Sequence, residues 1–125
     1  MLQRILLIAL AGALGTLARY GVGGLVQRVS SGHLPLGTII VNVIGCFLFG
    51  VVWTLADERV VISDETRVIM LGGFMGAFTT FSTFIFETGD FMREARWLLA
   101  TGNIAVQMVV GLVFLYLGVM AGRTL

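Results

Sequence analysis

The sequence contains four long stretches that are almost free of charged side chains, at residues 5–27, 34–56, 68–86 and 97–122. Each stretch is close to the ~20 residues that a helix needs to cross the hydrocarbon layer of a membrane. Only 12% of the 125 residues are charged and 58% are hydrophobic, which sets the chain apart from soluble globular proteins. The sequence therefore predicts an all-α membrane protein. Its single domain, residues 1–125, has four transmembrane helices at about residues 4–28, 34–56, 67–92 and 96–122.

The first stretch is predicted to remain in the mature protein as a helix. It has an internal Arg19, continues through Tyr20, and lacks the small-x-small cleavage site of a signal peptide. The connecting segments are too short for an extramembrane domain: residues 28–33, 57–67 and 87–96. We therefore expect a multi-pass protein of the cell membrane, which would be the inner membrane if the cell is Gram-negative, with lipid around it and no nucleic-acid partner. An ATP-driven pump or an enzyme acting on a soluble substrate is not expected.

The positive charges are almost evenly divided between the two ends of the predicted helices. Four arginines lie on the side of the termini: Arg4, Arg59, Arg67 and Arg123. Three lie on the opposite side: Arg28, Arg93 and Arg96. An excess of positive charge normally marks the cytoplasmic side, so this balance is typical of a dual-topology protein whose copies pair antiparallel. A dominant first helix would be an alternative way to orient the chain.

Four helices also leave little room for a conduction path, because side chains fill the centre of such a bundle. A pore is therefore expected to need a second copy of the chain. The 17 glycines supply positions where helix backbones approach closely in lipid, but they do not distinguish contacts within the chain from contacts between two chains.

Polar residues inside the predicted helices are costly in hydrocarbon, so each is expected to face a partner or a wet cavity. They are Arg19, Asn42, Thr79, Thr80, Ser82, Thr83, Asn103 and Gln107. Asn103 and Gln107 are four residues apart and share a helix face. They either line a narrow path or hydrogen-bond neighbouring helices. Arg19 either extends to the membrane interface or draws anions inward.

The third helix contains the most unusual segment, GGFMGAFTTFSTF at residues 72–84. Its glycines, threonines and serine weaken helix geometry and predict a break near the middle, where freed carbonyl oxygens could coordinate a cation such as Na⁺. After the break, Phe81 and Phe84 lie on one face. They form either an ordinary core pair or a weak site for a small anion, since ring edges carry partial positive charge.

Three motifs carry a resemblance to a known family: GALGTLARY at residues 12–20, GTIIVNVIG at residues 37–45, and the segment at residues 72–84. With them, the chain resembles the Fluc/CrcB family of fluoride channels over essentially its whole length. The resemblance implies an antiparallel dual-topology homodimer with two fluoride pathways. Such a dimer would export fluoride passively and so lower its toxicity in the cytoplasm.

The resemblance also implies roles for individual residues. Phe81 and Phe84 would be the rings that line the pore, and Asn42 would be the nearby amide donor. Gly76 and Thr79 would give backbone carbonyl oxygens, from both subunits, to a structural Na⁺ at the dimer interface.

Two further residues match the family near the pore vestibule, Arg19 and Glu87. The fourth helix departs from the family pattern, which has a track of hydroxyl side chains where this chain has Asn103 and Gln107. Either the amides replace the hydroxyls as fluoride donors, or the track is partly built from the hydroxyls of the third helix: Thr80, Ser82 and Thr83.

Two other functions fit the sequence less well than a passive anion channel. A proton-coupled small multidrug transporter would resemble its relatives in a carboxylate within the first helix, yet residues 5–27 contain no Asp or Glu, and Glu87 directly follows the third charge-free stretch rather than lying in the first. A purely structural subunit would leave the combination of Asn42, the break and the phenylalanine pair unexplained. Selectivity for fluoride rests on the resemblance, because ring edges and amides alone do not predict the rejection of chloride.

Overall fold

Four helical spans are long and apolar enough to cross a membrane in the computed structural model, which describes residues 1–30, 32 and 34–125. Helix α1 (Leu2–Val29) and helix α2 (Leu36–Asp57) are continuous. The third span, Asp64–Arg93, is interrupted, and the last helix (Trp97–Thr124) is again continuous. The predicted membrane fold with a broken third helix is confirmed.

The third span changes its helical geometry three times. It begins with α3 (Asp64–Arg67), continues as a π-helical stretch (Val68–Met75), and tightens again into α4 (Gly76–Phe78). Two extended threonines then separate α4 from α5 (Phe81–Arg93). The last helix, Trp97–Thr124, is accordingly α6. The break falls at the threonine pair within the segment 72–84 that the sequence indicated, because β-branched hydroxyl residues favour extended backbone and helix caps over helix interiors.

Glycine allows α2 and α6 to pack with their backbones in contact. A side-chain carbon added at Gly118 would overlap the carbonyl group of Phe47, and one added at Gly50 would overlap the carbonyl oxygen of Leu115. Such close approach increases van der Waals contact, which is the main attraction between helices in lipid. Helix α1 packs mainly against the third span, at the π-helical stretch and α4, and also against α2.

Charged side chains tie the end of α2 to the end of α6. Arg123 donates to the two carboxylate oxygens of Glu58 at 2.7 and 2.9 Å, and Arg59 donates to the carbonyl oxygen of Arg123 at 2.6 Å. The hydrogen bond from Arg123 holds the pKa of Glu58 below its ordinary value. These contacts are exposed to solvent, so they add little to the stability of the fold.

Candidate functional site at the helix break

Asn42 lies in the first half of α2 and holds the break of the third span. Its Oδ1 accepts the backbone N–H of Thr80 at 2.8 Å, and its Nδ2 donates to the carbonyl oxygen of Thr80 at 3.2 Å. In a continuous helix the Thr80 N–H would donate to the carbonyl of Gly76 instead. Asn42 thus satisfies a backbone group that the break would otherwise leave unpaired in the membrane.

A chain of hydrogen bonds continues from Asn42 across the bundle. Asn42 Nδ2 also donates to Oε1 of Gln107 at 2.7 Å, and Gln107 Nε2 donates to Oδ1 of Asn103 at 3.3 Å. Asn103 Nδ2 donates to Oγ1 of Thr88 at 2.9 Å, and the Thr88 hydroxyl donates to the carbonyl of Phe84 at 2.7 Å. We call this set the amide chain: Asn42, Gln107, Asn103 and Thr88. The last three are buried, and both hydrogens of the Asn42 amide are already donated.

The two predicted pore rings touch but face different environments. The ring centroids of Phe81 and Phe84 are 5.7 Å apart, with a tilt of 56° between the planes. Phe84 is 4% exposed and lies inside the bundle, whereas Phe81 is 70% exposed on its outer surface. A single copy of the chain therefore encloses one ring of the pair and leaves the other uncovered.

Hydroxyl groups gather at the start of α5. Thr80 Oγ1 accepts the backbone N–H of Thr83 at 3.3 Å and caps the helix, and it lies 2.8 Å from Thr83 Oγ1 and 3.4 Å from Ser82 Oγ. Because the Thr83 N–H donates to this hydroxyl, it does not reach back to the carbonyl of Thr79. The carbonyls of Gly76 and Thr79 thus both lose the partner that a continuous helix would supply.

An open cavity of about 1120 Å³ leads from one end of the bundle to the break. Its lining includes Arg19, Thr38, Thr80, Thr83 and Glu87. Arg19 Nε donates to the carbonyl of Ala77 at 3.0 Å, so this arginine is held at the break rather than at the membrane interface. Its positive charge faces the cavity from within the bundle.

Glu87 is one of three acidic residues that line this cavity, together with Asp90 and Glu94. Its Oε1 accepts the hydroxyl hydrogen of Thr38 at 2.6 Å, while its Oε2 is buried and has no hydrogen-bond partner among residues 1–30, 32 and 34–125. The two vestibule residues predicted from the sequence therefore line the same cavity. Within the described part of the chain, no group of three His, Cys, Asp or Glu side chains could hold a metal ion.

Comparison with known proteins places this arrangement in a family. A model described as "CrcB-like protein, Camphor Resistance (CrcB)" matches residues 6–119. The chain belongs to the CrcB family. Similar proteins include one named "Fluoride-specific ion channel FluC" from Nitrosococcus oceani, 54% identical over 118 residues that cover 94% of each chain. Another protein of that name, from Nitratidesulfovibrio vulgaris strain Miyazaki F, is 52% identical over 122 residues and 98% of each chain.

Membership in the CrcB family confirms the resemblance drawn from the sequence motifs. A third protein with the same name, from Solidesulfovibrio magneticus, is 50% identical over 123 residues. These relatives are named as ion channels, not as enzymes. With four membrane-length helices, this CrcB-family chain is a multi-pass protein of the cell membrane, as expected.

Two residues of the site were not singled out from the sequence. Thr88 ends the amide chain, and Thr38 donates to Glu87. A helical spacing could have indicated both, because Thr38 lies four residues before Asn42, and Thr88 lies four residues after Phe84. Threonine is common on membrane helices, however, so this spacing alone does not separate a site residue from a packing residue.

Proposed function

We propose that the chain is a passive channel for fluoride, and that it lowers cytoplasmic fluoride by letting the ion leave the cell. The observation that carries the proposal is the interrupted third span. It places hydroxyl and amide groups beside an open cavity inside the membrane, in a chain about half identical to proteins named fluoride-specific ion channels. A negative-inside membrane potential drives a monovalent anion outward by about 2.3 kcal/mol for every 100 mV.

The anion enters through the cavity and meets first a full positive charge, then neutral O–H and N–H donors, and finally ring edges with only a partial positive charge. Arg19 attracts it at the cavity wall. The hydroxyls of Thr80 and Thr83 follow, then the amides of Asn42 and Gln107, and then the ring edges of Phe81 and Phe84. The amide of Asn103 and the hydroxyl of Ser82 extend this polar lining beyond Gln107. Weak sites of this kind bind an anion tightly enough to admit it and loosely enough to release it.

A complete pore needs two copies of the chain. Phe81 is 70% exposed, and Gly76 at the break is exposed as well. An antiparallel partner would cover both and would bring its own rings to the pathway, which gives two equivalent pores per homodimer. The nearly even division of arginines between the two ends, four against three, supports insertion of the chain in both orientations.

The freed carbonyls at the break suit a structural Na⁺. Gly76 and Thr79 lose their helical partners because Asn42 and the Thr80 hydroxyl take the N–H groups of Thr80 and Thr83. Two copies of the chain would supply four such oxygens, which are hard donors of the kind that Na⁺ prefers. The ion would hold the two breaks together by attracting these carbonyl dipoles.

The test is ion efflux from liposomes that contain the purified protein. Liposomes loaded with fluoride are diluted into fluoride-free buffer with a potassium ionophore, and a fluoride electrode records release. Parallel liposomes are loaded with chloride, and protein-free liposomes give the background leak. We expect rapid fluoride release and chloride release at background. Fluoride release at background, or chloride release as fast as fluoride release, would contradict the proposal.

A further inference from the structure

The amide chain has a single direction, which one backbone group determines. A backbone N–H can only donate, so the N–H of Thr80 requires the oxygen of the Asn42 amide on its side. The nitrogen of Asn42 must then face Gln107, and Gln107 must present its oxygen. By the same logic every later donor points away from Asn42, until the Thr88 hydroxyl gives its hydrogen to the carbonyl of Phe84.

In this direction Asn42 has no free N–H group to donate to an anion. One of its two amide hydrogens is donated to the Thr80 carbonyl and the other to Oε1 of Gln107. The carbonyl of Thr80 belongs to the backbone, which Asn42 itself holds in place. Gln107 Oε1 belongs to a side chain whose amide can turn about its last bond. An anion that binds Asn42 must therefore take the position of Gln107 Oε1, and its negative charge repels that oxygen.

We infer that fluoride reverses the direction of the amide chain and that Thr88 is the residue that allows the reversal. The inference rests on the proposed function. When fluoride accepts the Asn42 hydrogen, Gln107 turns by half a rotation and donates its own N–H to the same ion. Gln107 Oε1 then accepts from Asn103 Nδ2, after Asn103 has also turned. Asn103 Oδ1 accepts the hydroxyl hydrogen of Thr88.

The reversal keeps every buried amide paired. Before the reversal, four hydrogen bonds connect Asn42 to Phe84. After the reversal, fluoride accepts two hydrogen bonds, and the side-chain oxygens of Gln107 and Asn103 each still accept one. The bond given up is the one from the Thr88 hydroxyl to the Phe84 carbonyl. That carbonyl still accepts the helical N–H of Thr88, since both residues lie in α5. Without an anion the reversed chain would set the N–H groups of Asn42 and Gln107 against each other.

Thr88 is suited to end the chain because a hydroxyl group both accepts and donates. It now accepts from Asn103 and donates to Phe84. Rotation of its hydrogen alone changes the direction of that donation, with no movement of heavy atoms. Thr88 lies away from the ion itself, so it is a positioning residue for Gln107 and Asn103, and a residue without a hydroxyl could support neither direction of the chain.

Flux measurements test the need for the hydroxyl. Thr88→Val keeps the shape of the side chain and removes the hydroxyl, whereas Thr88→Ser keeps the hydroxyl. Thr101→Val is the matched control, because Thr101 makes the same hydroxyl bond to the carbonyl four residues earlier, that of Trp97, but is exposed and lies outside the amide chain. We expect fluoride flux to fall about tenfold in Thr88→Val, the order of one lost hydrogen bond, and to stay within about twofold of wild type in Thr88→Ser and Thr101→Val. Wild-type flux in Thr88→Val would overturn the inference.

A spectroscopic measurement separates reversal from a merely structural role. Asn42 and Asn103 are the only asparagines in the chain, so labelling with ¹⁵N-asparagine gives two side-chain NH₂ groups, which the Asn103→Asp variant assigns. In wild type and Thr88→Ser, we expect fluoride to move the signals of both groups with the same concentration dependence. The Asn103 response should be absent in Thr88→Val.

The outcomes of these experiments distinguish the inference from the function on which it rests. Fluoride flux in wild type with an Asn103 signal that does not respond to fluoride overturns the reversal and leaves the channel proposal intact. A wild-type protein without fluoride flux overturns both. If Thr88→Val does not fold, the response of the wild-type Asn103 NH₂ signal to fluoride decides the question by itself.

Discussion

Asn42→Leu should destabilise the protein strongly, because Asn42 is the hydrogen-bond partner of both the Thr80 N–H and the oxygen of Gln107. Leucine has a similar size, so the change removes hydrogen bonds rather than creating a large cavity. The Thr80 carbonyl keeps a partner, since the cap residue accepts the first hydrogen bond of α5. The Thr80 N–H and the oxygen of Gln107 do not, and Gln107 is buried. Each buried group left unpaired costs about 1–3 kcal/mol, so the variant should lose about 2–6 kcal/mol of unfolding free energy.

That loss is large beside the total stability of a small protein, about 5–15 kcal/mol. Denaturant unfolding in mixed micelles, followed by the fluorescence of Trp53 and Trp97, would measure it. Gln27→Leu is the control: Gln27 is exposed and its two hydrogen bonds are long, at 3.4 Å each, so its unfolding free energy should change by less than about 0.5 kcal/mol. An Asn42→Leu variant within about 1 kcal/mol of wild type would refute the argument that Asn42 holds the break.

Three further predictions concern packing, pH and the pore. Gly118→Ala should lower the unfolding free energy by about 1–3 kcal/mol, because the added carbon overlaps a carbonyl of α2. Gly102→Ala, where the same carbon meets open space, should be neutral or slightly stabilising in the same assay. Arg123 lowers the pKa of Glu58, so the pair stabilises the fold above the unfolded pKa, about 4.3, and this contribution is lost as pH falls through the folded pKa. When thermal unfolding is measured at a series of pH values across that range, Tm should therefore fall less on acidification for Arg123→Gln than for wild type. An equal fall in both proteins would contradict a stabilising contribution from this pair above the unfolded pKa. Phe81→Ile should reduce fluoride efflux while leaving the circular dichroism spectrum unchanged, and unaltered efflux would count against a pore role for the exposed ring.

The helical spans could be predicted from the sequence because they follow from a local property. A stretch of about twenty apolar residues can satisfy its backbone in lipid only as a helix. The break was also visible locally, since glycine and β-branched hydroxyl residues cluster at residues 72–84. The π-helical stretch Val68–Met75 was not predicted. In this stretch Gly73 packs closely against α1, where a side-chain carbon would come within 3.0 Å of the Ile8 carbonyl oxygen, a contact that is not visible in the sequence.

The candidate site could be predicted as a set of residues but not as a network. The sequence pointed to Asn42, Asn103 and Gln107 because polar groups are costly in a membrane. It left open whether the amides of α6 face a path or a neighbouring helix, and in the structure they form the amide chain. Thr88 was missed because a threonine one turn after Phe84 is an ordinary helix residue until Asn103 is seen beside it.

The sequence by itself determined that this chain lies in a membrane as four helices, that the third is interrupted within residues 72–84, and which family it resembles. Only the tertiary structure decided how the break is held. Asn42 bonds to Thr80, 38 residues away, and to Gln107, 65 residues away. The direction of those bonds follows from one backbone N–H that can donate but cannot accept. Composition and spacing are properties of neighbours along the chain, whereas the partner of a buried amide depends on which helices meet.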